Sequence, residues 1–256
     1  MNKIEKAFAK GSALIPFITG GDPDMETTEQ LILAMANAGA DIIEIGIPFS
    51  DPIAEGPVIQ AADERALAAG CTADQLFDMV KRVRSQVTIP LLFMTYINPI
   101  FAYGTERFME NCAVSGIDGL IVPDLPFEEK GEIADICKKH GITQISMIAP
   151  TSESRIREIA KDAEGFLYCV SSLGVTGVRD SIQTDVGGMI RKVREVSDIP
   201  CAIGFGISTP KQAREMAAIS NGVIIGSAIV RLIGEFGRES ITPVAEFLKN
   251  IKKELA

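Results

Sequence analysis

One carboxylate sits in the apolar middle of a segment that otherwise reads as a buried strand. In Asp41-Ile42-Ile43-Glu44-Ile45-Gly46-Ile47 the two-residue alternation of a β-strand turns Glu44 to the face opposite Ile43 and Ile45. Enclosing an ionised carboxyl in an apolar interior is costly unless it is partnered or used. Desolvation also raises its pKa toward the range where one group both gives and takes a proton near neutrality. Glu44 is therefore a candidate general acid and base, or else a buried glutamate held by an internal partner. Two glycine-bearing strings suggest a second kind of chemistry. Gly204-Phe205-Gly206-Ile207-Ser208 and Gly226-Ser227-Ala228 each end an apolar run, and neither contains Lys or Arg. Glycines let main-chain N–H groups approach an anion, so the pair suits a phosphate held by backbone donors at a helix N-terminus, with Gly177 as a further contributor. Ordinary strand-terminal turns are the plainer reading. Asp124, in Val122-Pro123-Asp124-Leu125-Pro126, is a candidate polar organiser or a turn residue. Phe17, Tyr96, Phe101, Tyr168 and Phe205 would give a flat apolar ligand a surface beside the phosphate, although each alone also fits core packing.

Positioning these groups requires strands that end on one rim. Apolar runs at residues 13–19, 41–47, 90–96, 119–123, 144–149, 166–171, 200–205 and 222–226 read as strands. Amphipathic stretches such as 26–38 and 73–85 lie between them, and Gly39, Gly70, Gly116, Gly141, Gly165 and Gly222 read as helix C-caps. Strict alternation of strand and helix demands crossover connections and a parallel sheet. Eight repeats in 256 residues close more naturally into a (β/α)₈ TIM barrel than into an open doubly wound sheet. Ile4 and Phe8 share one face of a short N-terminal helix able to cover the barrel bottom. A single barrel domain over residues 1–256 is expected. Segments 48–57 and 173–181 leave strand C-termini and are longer than turns require, which makes them candidate substrate-covering loops.

Composition narrows the function classes. The net charge of −9 comes from 34 acidic and 25 basic residues with no basic cluster longer than a pair, so no nucleic-acid partner is expected. Met1-Asn2-Lys3-Ile4-Glu5-Lys6 lacks a signal-peptide apolar stretch and no window approaches the length of a membrane span. A soluble, cytoplasmic chain with no membrane association is expected. Five cysteines without a CxxC pair point to buried free thiols. The single histidine, His140, falls at a helix C-terminus, where it suits capping; one such residue cannot build a multi-histidine metal centre.

The ordered set Pro16-Phe17-Ile18-Thr19-Gly20-Gly21-Asp22-Pro23, Glu44-Ile45-Gly46-Ile47-Pro48-Phe49-Ser50-Asp51-Pro52, Gly174-Val175-Thr176-Gly177, Gly204-Phe205-Gly206-Ile207-Ser208 and Gly226-Ser227-Ala228 resembles the tryptophan synthase alpha chain family over essentially the whole sequence. The resemblance implies retro-aldol cleavage of indole-3-glycerol phosphate to indole and D-glyceraldehyde 3-phosphate. Glu44 matches the family's catalytic glutamate. The second catalytic carboxylate, an Asp in the family's Ala-Asp-Gly-Pro string, falls on Glu55 in Ala54-Glu55-Gly56-Pro57, a departure that keeps the charge and adds a methylene. Thr176 matches a threonine that orders the covering loop. Gly177, Phe205, Gly206, Gly226 and Ser227 match the phosphate site, and Phe17, Tyr96 and Tyr168 the indole pocket. Asp51, Asn98 and Pro99 match the face that docks on a beta chain in an α₂β₂ heterotetramer. The resemblance implies no cofactor in this chain and pyridoxal phosphate in the partner. Another phosphate-handling barrel chemistry, such as sugar-phosphate isomerisation, would call for metal or histidine groups. A chain kept only to activate its partner is suggested by Glu55 alone.

Overall fold

The computed structural model describes residues 2–150, 155–170, 185–204 and 206–255. Thr176, Gly177, Phe205 and the segment 173–181 lie outside the described residues. Strands β1 (Ala13–Thr19), β2 (Ile43–Gly46), β3 (Leu91–Met94), β4 (Gly119–Ile121), β5 (Thr143–Ile148), β6 (Leu167–Val170), β7 (Cys201–Gly204) and β8 (Gly222–Ile225) pair in parallel, each with the next. β8 returns to β1, which closes the barrel. Around it run α1 (Lys3–Ala7), α2 (Met25–Asn37), α3 (Pro57–Ala68), α4 (Ala73–Val83), α5 (Ile97–Tyr103) and α6 (Thr105–Ser115). The second half adds α7 (Gly131–His140), α8 (Ile156–Asp162), α9 (Val186–Arg194), α10 (Pro210–Ala217), α11 (Ser227–Phe236) and α12 (Ile241–Leu255). Among the described residues, no helix is long and apolar enough to cross a membrane.

Local chemistry explains the boundaries. Asp24 accepts the Thr27 N–H at 2.8 Å to start α2, and Thr72 and Thr209 open α4 and α10 with capping boxes. Gly116 and Gly141 end α6 and α7 in the left-handed region, where a Cβ would be strained. Gly222 departs from the expected cap: α10 stops at Ala217 and Gly222 opens β8. There a Cβ would stand 2.9 Å from the Ala13 carbonyl oxygen, so the residue is small because strand and N-terminal segment meet across it.

Period-two alternation divides the core. Ile43 and Ile45 point outward into the layer shared with the helices, whereas Ile42, Leu92, Ile121, Ile145, Tyr168, Ala202 and Ile224 fill the barrel interior. Ile4 of α1 joins that interior cluster and Phe8 packs on Phe166 at 5.4 Å, so the N-terminal segment plugs the bottom as its spacing predicts. The C-terminal rim remains for chemistry.

Candidate active site

Glu44 faces the interior from β2, in register with Phe17 of β1 and Leu92 of β3. It is fully buried, and among the described residues neither carboxyl oxygen has a hydrogen-bond partner. Desolvation alone pushes its pKa up to about 8. Among the described residues no internal partner neutralises the group, as a purely structural buried glutamate would require.

The segment from Pro48 to Gly56 folds back over the mouth and delivers a second carboxyl. Glu55 is 6% exposed and receives a short hydrogen bond from the Tyr96 hydroxyl, which also accepts the Ala54 N–H at 2.9 Å. Gln60 of α3 holds the Glu55 main-chain oxygen at 2.8 Å, so backbone and side chain are both restrained. Burial raises the Glu55 pKa to about 7, and the nearby negative charge of Asp124 adds to the rise. Asp124 itself accepts the Ile97 N–H at 3.0 Å, which places it at the start of α5 as an organiser of that helix.

Tyr168 lies 5% exposed in the interior, its phenol pushed well up by burial and by the charges of Glu44 and Glu55. Its ring crosses the end of β7: a Cβ on Gly204 would fall 2.5 Å from the Tyr168 hydroxyl oxygen. Phe17 makes the matching contact on the other side. A Cβ on Gly46 would stand 2.7 Å from its ring and one on Gly226 would stand 3.3 Å away, so the ring spans the gap between the ends of β2 and β8. These glycines are openings into which aromatic rings lean, a role that the strings alone did not reveal.

The two glycine turns differ in what their helices leave free. Gly206 adopts φ +78°, but the N-terminus of α10 beyond it is already satisfied, because Gln212 and Thr209 cap each other's main-chain donors. Helix α11 begins at Ser227 behind Gly226 with no side-chain cap, so its first-turn amides are the donors left for an anion.

Sequence reasoning missed a buried carboxyl beside Glu55. Asp63 is 7% exposed on α3, within the buried stripe Ile59, Ala62, Asp63 and Ala66. Burial and the neighbouring Glu55 raise its pKa to about 8. The helical spacing of that stripe was the available signal. Two residues along, Arg65 grips the buried Asp22 with two contacts of 2.7 Å, bracing α3 against the loop after β1. Phe101, expected among the aromatics of the mouth, is instead 49% exposed on the outer side of α5. Asp51 and Asn98 are exposed and Pro99 half-buried, outside the pocket.

The sequence profile described as tryptophan synthase alpha chain matches residues 4–256. The tryptophan synthase alpha chain of Shouchella clausii is 51% identical over 91% of this chain and 88% of that protein. The one from Lacticaseibacillus casei is 46% identical over 98% and 95%. A solved chain from the study of mutual activation of the tryptophan synthase α₂β₂ complex of the hyperthermophile Pyrococcus furiosus superposes with a TM-score of 0.88. Its identity is 36%, and the match covers 95% of this chain and 98% of that one.

Proposed function

This chain belongs to the tryptophan synthase alpha chain family, and we propose that Glu44 and Glu55 are the two groups that carry its reaction. The reaction is the lyase step of tryptophan biosynthesis that cleaves indole-3-glycerol phosphate to indole and D-glyceraldehyde 3-phosphate. The protonated Glu44 carboxyl gives its proton to indole C3, which converts the ring to an indolenine cation with positive charge at the nitrogen. Glu55, ionised, accepts the ring N–H and stabilises that charge in a dry site, where such a contact is stronger than in water. Glu44, now a carboxylate, takes the proton from the side-chain hydroxyl. The carbon–carbon bond then breaks, its electrons return to the ring and neutralise the nitrogen, and the oxygen-bearing carbon becomes the aldehyde. Both protons are accounted for and Glu44 ends as it began.

The observation that carries this reading is Glu44, wholly enclosed and without a hydrogen-bond partner among the described residues, at the level of a Phe17 ring that also leans against Gly226. Phe17, Tyr96 and Tyr168 line the indole site, with Tyr96 holding the Glu55 carboxyl in place. Main-chain amides at Gly206, Gly226 and Ser227 take the phosphate, Gly177 and Phe205 join them by their match to the family, and Thr176 by the same match orders the covering loop. The extra methylene of Glu55 is accommodated because its loop is tied to α3 through Gln60. The chain acts as one barrel domain in the cytoplasm, in an α₂β₂ heterotetramer. A beta chain docks on Asp51, Asn98 and Pro99, and the partner holds the pyridoxal phosphate while this chain requires no cofactor of its own. Ile53, two residues from Asp51, and Phe101, on the same helix as Asn98 and Pro99, are exposed apolar side chains that suit a docking face. The test is indole release from purified chain: Glu44→Gln abolishes it to below about one part in a thousand, whereas retention of wild-type turnover would overturn the assignment.

A further inference from the structure

Helix α5 is only seven residues long, too short to hold its shape alone, yet it carries parts of two surfaces. Tyr96, its N-cap, touches Glu55. Asn98, Phe101 and Ala102 share its outer face and are exposed. Both ends are pinned. Asp124 holds the Ile97 N–H at 3.0 Å. At the other end the Tyr103 hydroxyl donates to Asp74 of α4 and accepts from Asn111 of α6 at 2.7 Å. The Tyr103 ring packs on Phe77 and Phe108 at 5.7 and 5.8 Å, with the Arg107 guanidinium 4.6 Å above it. Phe77 in turn packs on Phe93 of β3 at 5.6 Å, so the clamp reaches the strand that leads into Tyr96.

We propose that Tyr103 is a positioning residue: by clamping the far end of α5 it makes the helix move as one piece, so that a partner chain seated on Asn98, Phe101 and Ala102 shifts Tyr96 and, through it, Glu55. This rests on the docking face proposed above. The chemistry demands such an anchor. Coupling between two sites needs an element whose arrangement both of them bias. A two-turn helix with a free end would absorb the contact by fraying its last turn. Tyr103 prevents that with two directed hydrogen bonds and two ring contacts, none of which touches the reacting groups.

The experiment titrates the full-length chain with its beta chain and reads two quantities, the dissociation constant by calorimetry and indole release at saturation relative to the chain alone. Tyr103→Phe keeps the ring contacts and removes the hydroxyl; Tyr103→Leu removes both. For Tyr103→Phe, turnover alone and the dissociation constant stay within about two-fold of wild type. Turnover at saturation falls by about three- to ten-fold, the worth of one or two lost hydrogen bonds. Phe101→Ala gives the converse, a weaker complex that is fully stimulated once saturated. Undiminished stimulation in Tyr103→Phe overturns the proposal, as does a loss that merely follows an equal loss in the isolated chain. A wild-type chain that binds its partner without stimulation would overturn this proposal together with the docking face. Stimulated wild type alongside equally stimulated variants overturns the role of Tyr103 alone.

Discussion

Replacing Glu44 by Gln moves stability and activity in opposite directions, and the size of the first effect follows from burial. The carboxyl has an ordinary pKa of 4.5 and a folded value of about 8. A raised carboxyl pKa means that the native state keeps a proton which the unfolded chain releases. The stabilisation is therefore complete below pH 4.5 and is lost as pH rises toward 8. Between those limits each pH unit costs about 1.4 kcal/mol, or about 3 kcal/mol by pH 7. Gln fills nearly the same volume and never ionises, so the variant escapes that loss. Glu55 and Asp63 tilt wild-type stability in the same direction, but both remain in the variant and cancel in the difference. Urea unfolding at pH 5, 6 and 7 gives the comparison. The variant's advantage grows by about 1.4 kcal/mol per pH unit with m unchanged, while indole release drops about a thousand-fold or more. An advantage that stays flat from pH 5 to pH 7 would refute the claim that Glu44 is held neutral inside the barrel, even if activity were lost.

Three further outcomes follow from the same geometry. Because Glu55 acts charged and Glu44 acts protonated, kcat/KM is bell-shaped, its acid limb near the Glu55 value of about 7 and its alkaline limb near the Glu44 value of about 8. A profile flat from pH 6 to pH 9 would contradict that assignment. Tyr96→Phe frees the Glu55 carboxyl and strands the Ala54 N–H, so kcat in steady-state assays falls by about ten-fold, the worth of one hydrogen bond to a charged group. Gly46→Ala puts a methyl 2.7 Å from the Phe17 ring. The ring must swing toward the indole site, so KM rises by about ten-fold or more, at an overpacking cost of about 1–3 kcal/mol in thermal unfolding.

Much of the barrel was legible because its signals are local. Alternation along 41–47 places Glu44 opposite Ile43 and Ile45 whatever the rest of the chain does, and left-handed glycines such as Gly116 and Gly141 end helices by their own backbone freedom. The expected strands overran the observed ones at several ends, as at 41–47 against Ile43–Gly46, because apolar character continues into loop residues after pairing stops. Gly222 misled for the opposite reason: its smallness answers to Ala13 across the barrel seam, a neighbour that no local pattern names.

The site itself divides along the same line. Residue type and strand period were enough to single out a lone carboxylate and two cation-free glycine turns, since those properties belong to single segments. That the carboxyl of Glu44 finds no partner among the described residues, that Tyr96 reaches Glu55, that Asp63 is buried beside it and that the Phe17 ring spans Gly46 and Gly226 were decided only by closure of the barrel. Desolvation and hydrogen bonding depend on which atoms surround a group, and those atoms come from segments far apart in the chain. A carboxyl's identity is written in one residue, whereas its proton affinity is set by the whole wall around it.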